Sequence, residues 1–270
     1  LITTSGIGSR LGEITDFTNK SLVRIGNQPV LSHIIESYPL DTKFVITLGH
    51  FGSHVKQFLL LAYPDKNFEF VHVDKFKGEG SSLGYSLLQA EEKLQCPFIY
   101  HATDTILPNF KIEFDENFCV GSYKKDSSQY ASLIVENGSI RQIKPKGELN
   151  FDYPYKFIQA KEWFDTGNTT ELFKTSSHFK GDLEVLDKKD ESVYLFDDFV
   201  IKFFHNEKTN KDRVDRAKIL KDIVPEILAS SENFYKYKKN KSNLLSHTVT
   251  EKSFANGLAL LCGNLTIRSP

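Results

Sequence analysis

Hydrophobic positions in the first hundred residues alternate between continuous apolar runs and runs with helical spacing. Lys43–Leu48 is a continuous run typical of a buried strand, whereas the spacing within Pro29–Tyr38 predicts a helix. A second helix is predicted from Ser53, which can serve as its N-cap, to about Ala62. The same criteria predict strands over Leu1–Thr4, Phe68–Val73 and Pro97–His101 and a helix over Ser82–Leu94.

This repetition of strand and helix predicts an α/β, Rossmann-like fold with a mixed, mainly parallel sheet and helices on both faces. In such sheets ligands bind beyond the carboxyl ends of the strands. The glycine-containing loop after Thr4 and Asp104, which follows a predicted strand, both fall at that edge. The pattern therefore places two polar features where a ligand would lie.

The pattern changes after about residue 115 to short strands. These are predicted over Phe118–Tyr123, Ala131–Val135 and Ile140–Ile143, with a hairpin turn at Asn137-Gly138. A fresh pattern follows the polar run at 187–191: a strand, a turn at Asp197-Asp198, another strand, and a charged helix from about Lys208 to Ile223. We predict a first domain over residues 1–186 and a small α+β module over residues 187–270.

Charge and cysteine usage narrow the function classes. The chain has 270 residues, with 34 Lys and Arg against 35 Asp and Glu. Because a nucleic-acid binder usually carries a basic excess, no nucleic-acid partner is expected. No apolar run is long enough to span a bilayer, and the start lacks a secretory pattern. The three cysteines, Cys96, Cys119 and Cys262, are widely spaced and form neither a disulfide framework nor a CxxC pair. This usage fits a reducing compartment, so we expect a cytoplasmic location.

The loop Ser5–Arg10, followed by Lys20, has the composition of a phosphate-binding loop. Its glycines let backbone N–H groups approach phosphate oxygens, and the two cations can neutralise a triphosphate. A dinucleotide fingerprint is excluded because Gly12 lies one position too far, and a P-loop because Asn19 replaces the glycine before Lys20. The bare pattern leaves open an ordinary strand–turn loop with surface charges.

Several residues of this region, in order and spacing, resemble the sugar-phosphate nucleotidyltransferases and their cytidylyltransferase relatives. They are Gly6-x-Gly8-Ser9-Arg10-Leu11, Thr15, Lys20-Ser21-Leu22 and the continuation Val23–Leu31. The resemblance covers about residues 1–182 and implies that the loop wraps the triphosphate. It also implies that Arg10 and Lys20 are catalytic, stabilising charge on the α-phosphate and the departing pyrophosphate. Asn19 stands where the family usually has proline.

Two segments supply the nucleotide contacts that the resemblance implies. The first is the strand end and loop already described, in which Thr4-Ser5 replace a small apolar pair of the family. The second, Gly78–Gly84, resembles the segment that contacts base and ribose; an ordinary N-cap at Ser81 or Ser82 is the alternative. The predicted nucleotide-binding residues are Thr4, Ser5, Gly6, Gly8, Ser9, Gly80, Ser81 and Ser82.

The resemblance also implies an Mg²⁺ cofactor held by two carboxylates. Asp104 lies in His101–Leu107, which looks like the family's first metal-binding element, and Asp165 lies in Trp163-Phe164-Asp165-Thr166-Gly167, similar to its W-x-D-x-G pattern. Carboxylate oxygens suit a hard cation that screens two reacting anions. Each Asp could instead cap a turn at a strand end.

Lys144 is the predicted acceptor-binding residue. Lys144-Pro145 resembles the family's Glu-Lys-Pro element, although Ile143 replaces the Glu and Lys146 competes for the role. The family also has a longer stretch between this Lys and the second Asp. Part of the acceptor pocket is therefore expected to be short.

From Ser192 onward the chain resembles the small lobe of aminoglycoside-phosphotransferase and choline-kinase-like enzymes. Phe199–Phe204 looks like the strand whose Lys grips ATP phosphates, which makes Lys202 the counterpart. Cys262-Gly263-Asn264 echoes a His-Gly-Asp loop, in which case Asn264 replaces the catalytic Asp. A truncated kinase-like module is the interpretation; a structural Lys202 is the alternative.

Together these features predict a nucleotidyltransferase that moves a nucleoside monophosphate from an NTP, with CTP slightly favoured, to a sugar phosphate or phospho-alcohol. Cell-surface polysaccharide or lipid biosynthesis is the context that family analogy suggests. Two alternatives stay open: a bifunctional transferase and kinase, and a non-catalytic nucleotide-binding module. The sequence does not determine the base, the acceptor or the oligomeric state.

Overall fold

The computed structural model describes residues 1–110, 117–123, 130–144, 155–179, 181, 188–220, 223–240 and 249–265. The chain divides into two compact units, residues 1–238 and residues 239–270. Within the described ranges, no helix has the length and apolar character that crossing a bilayer requires.

Sixteen strands and six α-helices are described. The strands are β1 (Ile2–Thr3), β2 (Arg24–Ile25), β3 (Gln28–Pro29), β4 (Lys43–Leu48), β5 (Asn67–His72), β6 (His101–Ala102), β7 (Thr105–Ile106), β8 (Phe118–Gly121), β9 (Ser132–Glu136), β10 (Ser139–Lys144), β11 (Tyr155–Gln159), β12 (Phe164–Asp165), β13 (Glu191–Leu195), β14 (Phe199–Phe204), β15 (Ile227–Ser230) and β16 (Phe234–Lys238). The helices are α1 (Val30–Glu36), α2 (Gly52–Ala62), α3 (Leu83–Gln89), α4 (Thr169–His178), α5 (Glu207–Ile219) and α6 (Glu251–Leu265).

The first sheet has the strand order β5-β4-β1-β6, and all three strand pairs are parallel. The predicted strand over Lys43–Leu48 is found with the same bounds as β4, which is buried at five of its six positions. Apolar residues of α1 and α2 pack into the core beneath the sheet, among them Leu31, Ile35 and Phe58. The predicted parallel α/β architecture is thus confirmed in its central part.

The predicted strand over Pro97–His101 is wrong in its extent. Only His101 and Ala102 pair, with Ile2 and Thr3 of the short β1. Phe98 and Tyr100 are exposed, because β6 lies at the edge of the sheet and β1 offers only two residues to pair with. The predicted helix over Ser82–Leu94 likewise ends at Gln89, and a separate 3-10 turn covers Glu91–Lys93.

A second sheet, ordered β8-β11-β10-β9, contains the three short strands predicted after residue 115 as β8, β9 and β10. Its fourth strand, β11, was not predicted. The β9–β10 hairpin turns at Asn137-Gly138, whose φ angles of 51° and 77° are the left-handed values that a two-residue turn requires. The predicted hairpin is therefore confirmed. A third pairing, β12 with β7, joins Asp165 to Thr105 in antiparallel register.

Another four-stranded sheet, ordered β13-β14-β16-β15, is entirely antiparallel. It contains the predicted strand–turn–strand near residues 193–204. Tyr194, Phe203 and Phe234 of this sheet are fully buried in the same core as α1 and α2. The predicted division after residue 186 thus falls inside one compact unit. The boundary between residues 1–186 and 187–270 stays a prediction.

The second unit, residues 239–270, contains helix α6. Asn264, the residue that echoes a catalytic loop position, lies within this helix near its end.

Candidate active site

The strand end Thr4-Ser5 is buried, and its side chains bond within the protein. The Thr4 hydroxyl donates to the Thr47 carbonyl at 2.6 Å, and the hydroxyl oxygens of Ser5 and Ser86 lie 3.0 Å apart. The Ser5 carbonyl accepts from the His50 backbone N–H at 2.9 Å. These bonds fix the end of β1 against β4 and α3. The predicted contact of Thr4 and Ser5 with a nucleotide stays a prediction.

Beyond this anchored end, the chain opens into the glycine loop. Gly6 has no atoms within 4 Å of a Cβ position, and Gly8 has a left-handed φ of 69°. Ser9 begins a 3-10 segment, Ser9–Thr15, that is interrupted at Gly12. The Leu11 N–H bonds back to the Gly8 carbonyl at 2.8 Å. An open glycine backbone next to a helical start is the arrangement that accommodates phosphate oxygens.

Arg10 and Lys20 both approach the carboxylate of Asp104. Lys20 Nζ lies 3.5 Å and Arg10 Nη2 lies 3.9 Å from Asp104 Oδ2. Both separations are longer than a strong charge-assisted hydrogen bond, so the cations are near the carboxylate without tight bonding to it. The Lys20 side chain is 21% exposed and the Arg10 side chain 61%. Two cations that are partly open to solvent therefore flank one carboxylate.

The β7–β12 pairing brings the second predicted carboxylate to the same place. Asp104 directly precedes β7, and Asp165 ends β12 opposite Thr105. The Thr166 N–H donates to the Asp104 carbonyl at 2.9 Å, which ties the two segments together beyond the paired strands. Residues that are 61 positions apart in the chain thus become neighbours.

Gly167 marks the point where the two carboxylates converge. A Cβ atom on Gly167 would lie 3.0 Å from Asp165 Oδ1, 3.2 Å from Asp104 Oδ2 and 3.4 Å from Arg10 Nη2. The missing side chain leaves room beside two carboxylate oxygens, which are the ligands that hard divalent cations prefer. The donor set therefore fits Mg²⁺ shared with phosphate oxygens. Among the described residues, no group of three or more His, Cys, Asp and Glu forms a complete protein cage for a metal.

Asp165 is held by groups that the sequence pattern did not indicate. Its Oδ2 accepts from the Tyr130 hydroxyl at 2.7 Å, and its Oδ1 accepts from the Gly167 N–H at 2.7 Å. Burial, followed by the bond to Asp165, raises the pKa of Tyr130, which therefore stays a donor at neutral pH. The Tyr130 ring also meets the Trp163 ring edge-on.

His101 plays a comparable part beside Asp104. Its Nδ1 lies 2.8 Å from the Tyr38 hydroxyl, and its Nε2 lies 2.9 Å from the Thr105 carbonyl. Burial lowers the pKa of His101, so the neutral ring can accept from Tyr38 and donate to Thr105. These bonds fix both ends of the turn that carries Asp104. No spacing rule in the sequence links His101 with Tyr38, so only the fold reveals the pair.

Gly80, Ser81 and Ser82 form the turn that leads into α3. Gly80 has a φ of 81°, the Ser81 hydroxyl donates to the Gly78 carbonyl at 2.7 Å, and the Ser82 hydroxyl accepts from the Tyr85 N–H at 3.0 Å. The alternative of an N-cap therefore applies to Ser82. Since Ser86 of α3 meets Ser5, this turn lies close in the fold to the end of β1. Its predicted nucleotide contact stays a prediction.

Two other predicted residues, Lys144 and Lys202, lie in strands. Lys144 is the last residue of β10, opposite Ser132, while Pro145 and Lys146 fall outside the described residues. Lys202 lies in β14, with Nζ 5.9 Å from the centre of the Tyr237 ring. Burial, with a smaller contribution from Arg213, lowers the pKa of Lys202. The roles predicted for Lys144 and Lys202 stay predictions.

Comparison with known proteins gives one relative in sequence. Over 90 residues, the chain is 31% identical to the probable glucose-1-phosphate cytidylyltransferase of Bacillus subtilis (strain 168), a match that covers 31% of this chain and 33% of that protein. The chain thus spans about a third of the curated relative that it matches. No protein-family model matches the chain.

Solved structures share the fold over a larger part of the chain. A putative glucose-1-phosphate thymidylyltransferase from Bacillus anthracis, in complex with a sucrose, superposes with a TM-score of 0.53 at 17% identity, covering 70% of this chain and 96% of its own. The CTP:phosphocholine cytidylyltransferase of Streptococcus pneumoniae gives 0.53 at 15% identity, covering 66% and 97%. The chain therefore shares the fold of these two structures over nearly their full length. The predicted fold class is confirmed.

Proposed function

We propose that this chain is a nucleotidyltransferase that transfers a nucleoside monophosphate from an NTP to a phosphorylated small molecule and releases pyrophosphate. The observation that carries the proposal is the convergence of Asp104 and Asp165 at Gly167, beside Arg10 and Lys20. Two carboxylates and two cations at the edge of a parallel sheet, next to an open glycine loop, suit a reaction between two anions.

In this proposal the residues act by position and charge. Asp104 and Asp165 would hold Mg²⁺, which when bound would screen repulsion between the two reacting phosphates. Lys20 and Arg10 would stabilise charge on the α-phosphate and on the leaving pyrophosphate, as donors that already face the site. The Gly6–Ser9 backbone would contact the triphosphate. Tyr130 and His101 would orient the segments that carry the two carboxylates.

The substrates are proposed from the similarity of the chain to known proteins. CTP is favoured because the sequence relative and the Streptococcus pneumoniae structure are named as cytidylyltransferases. A sugar 1-phosphate or a phospho-alcohol is the proposed acceptor, with Lys144 as a candidate for binding its phosphate. Cell-surface polysaccharide or lipid synthesis and a cytoplasmic location remain the proposed setting.

The sheet β13-β14-β16-β15, here called the C-terminal sheet, is not proposed as a second catalytic centre. Lys202 has Arg213, Glu191 and Lys188 as the charged groups that influence its pKa. In the segment that resembles a kinase catalytic loop, the position of the catalytic Asp is occupied by Asn264, which lies within α6. Its side-chain amide cannot serve as a general base, because it has no carboxylate oxygen. The kinase-like interpretation of Lys202 stays a prediction.

The test is pyrophosphate release with Mg²⁺, using CTP, UTP, dTTP, ATP and GTP against a panel of sugar 1-phosphates and phospho-alcohols. Signal with one pair is expected and would identify base and acceptor together. Binding of NTP and Mg²⁺ without product across the panel would favour the non-catalytic nucleotide-binding module. Consumption of ATP by an acceptor that lacks phosphate would instead favour the bifunctional enzyme.

A further inference from the structure

Asn19 joins three segments of the candidate site through one fully buried side chain, which is 0% exposed. Its Nδ2 donates to the Thr4 carbonyl at 2.8 Å and to the His50 carbonyl at 2.6 Å. Its Oδ1 accepts from the Ser21 N–H at 2.9 Å and from the Ser21 hydroxyl at 2.7 Å. Both donor hydrogens and both acceptor positions of the amide are therefore used.

These bonds surround Lys20. Thr4 directly follows β1 and His50 lies two residues after β4, so the amide joins the segments that leave two neighbouring strands of the sheet. On its other side the amide holds Ser21, the residue after Lys20. The backbone of Lys20 is thus fixed from both sides, and its Nζ lies 3.5 Å from Asp104 Oδ2.

The backbone at position 19 does not itself require an asparagine. Its φ of −73° and ψ of 145° are extended values that proline also adopts. The side chain therefore adds connections that the backbone shape alone would not supply. Removing the amide would leave the Thr4 and His50 carbonyls and the Ser21 N–H without this partner, which favours local rearrangement around Lys20.

We propose that Asn19 is a positioning residue, which acts on nucleotidyl transfer by fixing Lys20 relative to Asp104 and the glycine loop. The inference rests on the proposed function, since it assigns a role within that same site. Asn19 does not touch the substrate in this proposal. Its effect passes through Lys20, so it disappears when the Lys20 ammonium is removed.

Asn210 provides a matched control for the loss of a buried amide. It is 1% exposed, and its Nδ2 donates to the carbonyls of Ser231 at 2.8 Å, Glu232 at 3.0 Å and Phe234 at 3.3 Å. It lies in α5 and ties that helix to the segment between β15 and β16. Asn210→Leu and Asn19→Leu both remove bonds that a buried amide Nδ2 donates to backbone carbonyls, but only Asn19 adjoins Lys20.

The experiment is a double-mutant cycle in the full chain. Asn19→Leu, Lys20→Ala and the double variant are compared with Asn210→Leu and its combination with Lys20→Ala. Titration of CTP, UTP, dTTP, ATP and GTP into the wild type, without and with Mg²⁺, selects the nucleotide that binds most tightly. Its Kd, the kcat and KM of pyrophosphate release, and the urea unfolding midpoint are then measured for every variant.

Asn19→Leu is expected to lower kcat/KM on the order of 10²-fold, mostly through kcat, because a misplaced catalytic cation loses its effect in the transition state. The double variant should be no worse than Lys20→Ala alone. Asn210→Leu should change stability, and its small kinetic effect should multiply with that of Lys20→Ala. Multiplicative losses for Asn19→Leu and Lys20→Ala would overturn the positioning role.

Two further variants keep the test decisive if Asn19→Leu does not fold. Asn19→Pro retains the backbone angles and removes all four side-chain bonds, whereas Asn19→Asp retains the bonds to Ser21 and turns an oxygen toward the two carbonyls. Both should lower kcat and show no additional loss in the Lys20→Ala background. A wild type that neither binds any NTP nor releases pyrophosphate would overturn the proposed function instead, and the wild-type titration alone reveals that outcome.

Discussion

Asp104 lies within 4 Å of the side-chain cations of Arg10 and Lys20, and both Asp104 and Asp165 approach the Cβ position of Gly167. Such a cluster is balanced when a cation and a polyphosphate enter together, since the metal neutralises carboxylates and the side-chain cations neutralise phosphate. The proposed chemistry therefore depends on single atoms at single positions, and the sharpest predictions belong at this scale.

Asp104→Asn should abolish most pyrophosphate release, with a loss on the order of 10²-fold or more, because the amide keeps the shape and removes the metal-binding charge. NTP binding without Mg²⁺ should persist. Asp215→Asn on the surface of α5, where Asp215 pairs with Lys218, is the control and should behave like the wild type. Turnover of Asp104→Asn at the wild-type rate would rule out its assignment as a metal ligand.

Gly167→Ala tests the space between the carboxylates. The added methyl group would lie 3.0 Å from Asp165 Oδ1 and 3.2 Å from Asp104 Oδ2, so both carboxylates would have to shift. We expect kcat to fall about 10²-fold while the unfolding midpoint changes little. Gly257→Ala in α6, where a Cβ meets nothing within 4 Å, is the matched control and should leave turnover unchanged. Equal kinetics for both variants would contradict the convergence of the carboxylates at Gly167.

At the scale of elements, helix α2 meets the C-terminal sheet through a cluster of rings. His54 is 5% exposed, stacks on Phe51 at 4.9 Å and meets Phe203 and His205 edge-on. Within the described part of the chain, the Nδ1 atoms of His54 and His205 are buried without a hydrogen-bond partner. Burial, with smaller contributions from His205 and His50, lowers the pKa of His54 to about 4.

This cluster predicts acid sensitivity. Because the pKa of His54 is about 4 when folded and near its ordinary value of 6.5 when unfolded, the unfolded chain binds more protons between these values. The stability that the neutral ring provides is complete above pH 6.5 and is lost as the pH falls toward 4. The loss should be on the order of 2 kcal/mol.

The measurement is the free energy of unfolding in urea from pH 7 to pH 4.5. His54→Phe should show a shallower decline than the wild type, since phenylalanine has no proton to gain. His72→Gln, which changes an exposed histidine at the end of β5, should retain the wild-type slope. Parallel pH profiles for the wild type and His54→Phe would contradict the assignment.

At the scale of the whole molecule, the C-terminal sheet packs directly behind the segment that carries Lys20. The Tyr194 hydroxyl donates to the Leu22 carbonyl at 2.8 Å in the core, and the Leu195 N–H donates to the Asn27 carbonyl at 2.7 Å. Lys189 also forms an ion pair with Glu13 of the 3-10 segment. Residues 1–238 therefore form one compact unit, in which the sheet contributes to the same core as the first sheet.

Tyr194→Phe is expected to destabilise the whole of this unit by about 1–2 kcal/mol, because it leaves the Leu22 carbonyl buried without that donor. The measurement is urea unfolding followed by the fluorescence of Trp163, the single tryptophan, which lies two residues before Asp165. The urea concentration at the midpoint of this transition should be lower than in the wild type. Tyr237→Phe, at a half-buried position in β16, should shift the midpoint less. An unchanged Trp163 transition in Tyr194→Phe would indicate that the C-terminal sheet unfolds separately.

Much of the fold could be predicted from local pattern. The buried run Lys43–Leu48 has the same bounds as β4, because a strand buried on both faces requires a continuous apolar sequence. The Asn137-Gly138 turn forms the predicted hairpin, because these residue types are the ones that adopt positive φ angles. Motifs also pointed to Arg10, Lys20, Asp104 and Asp165, which the fold brings together; their roles stay predictions. The extent of β6 was not predictable, because strand length there depends on how many residues the neighbouring β1 can pair.

The sequence by itself determined the residue types of the candidate site and the strand ends that carry them. Tertiary structure alone decided which partners hold them: Tyr130 on Asp165, Tyr38 on His101, Asn19 between β1 and β4, and Tyr194 beneath Leu22. The physical reason is range. Strand and helix periodicity and turn chemistry act within a few residues, whereas these bonds join groups separated by 15 to 172 positions, which only packing of the complete sheet brings together.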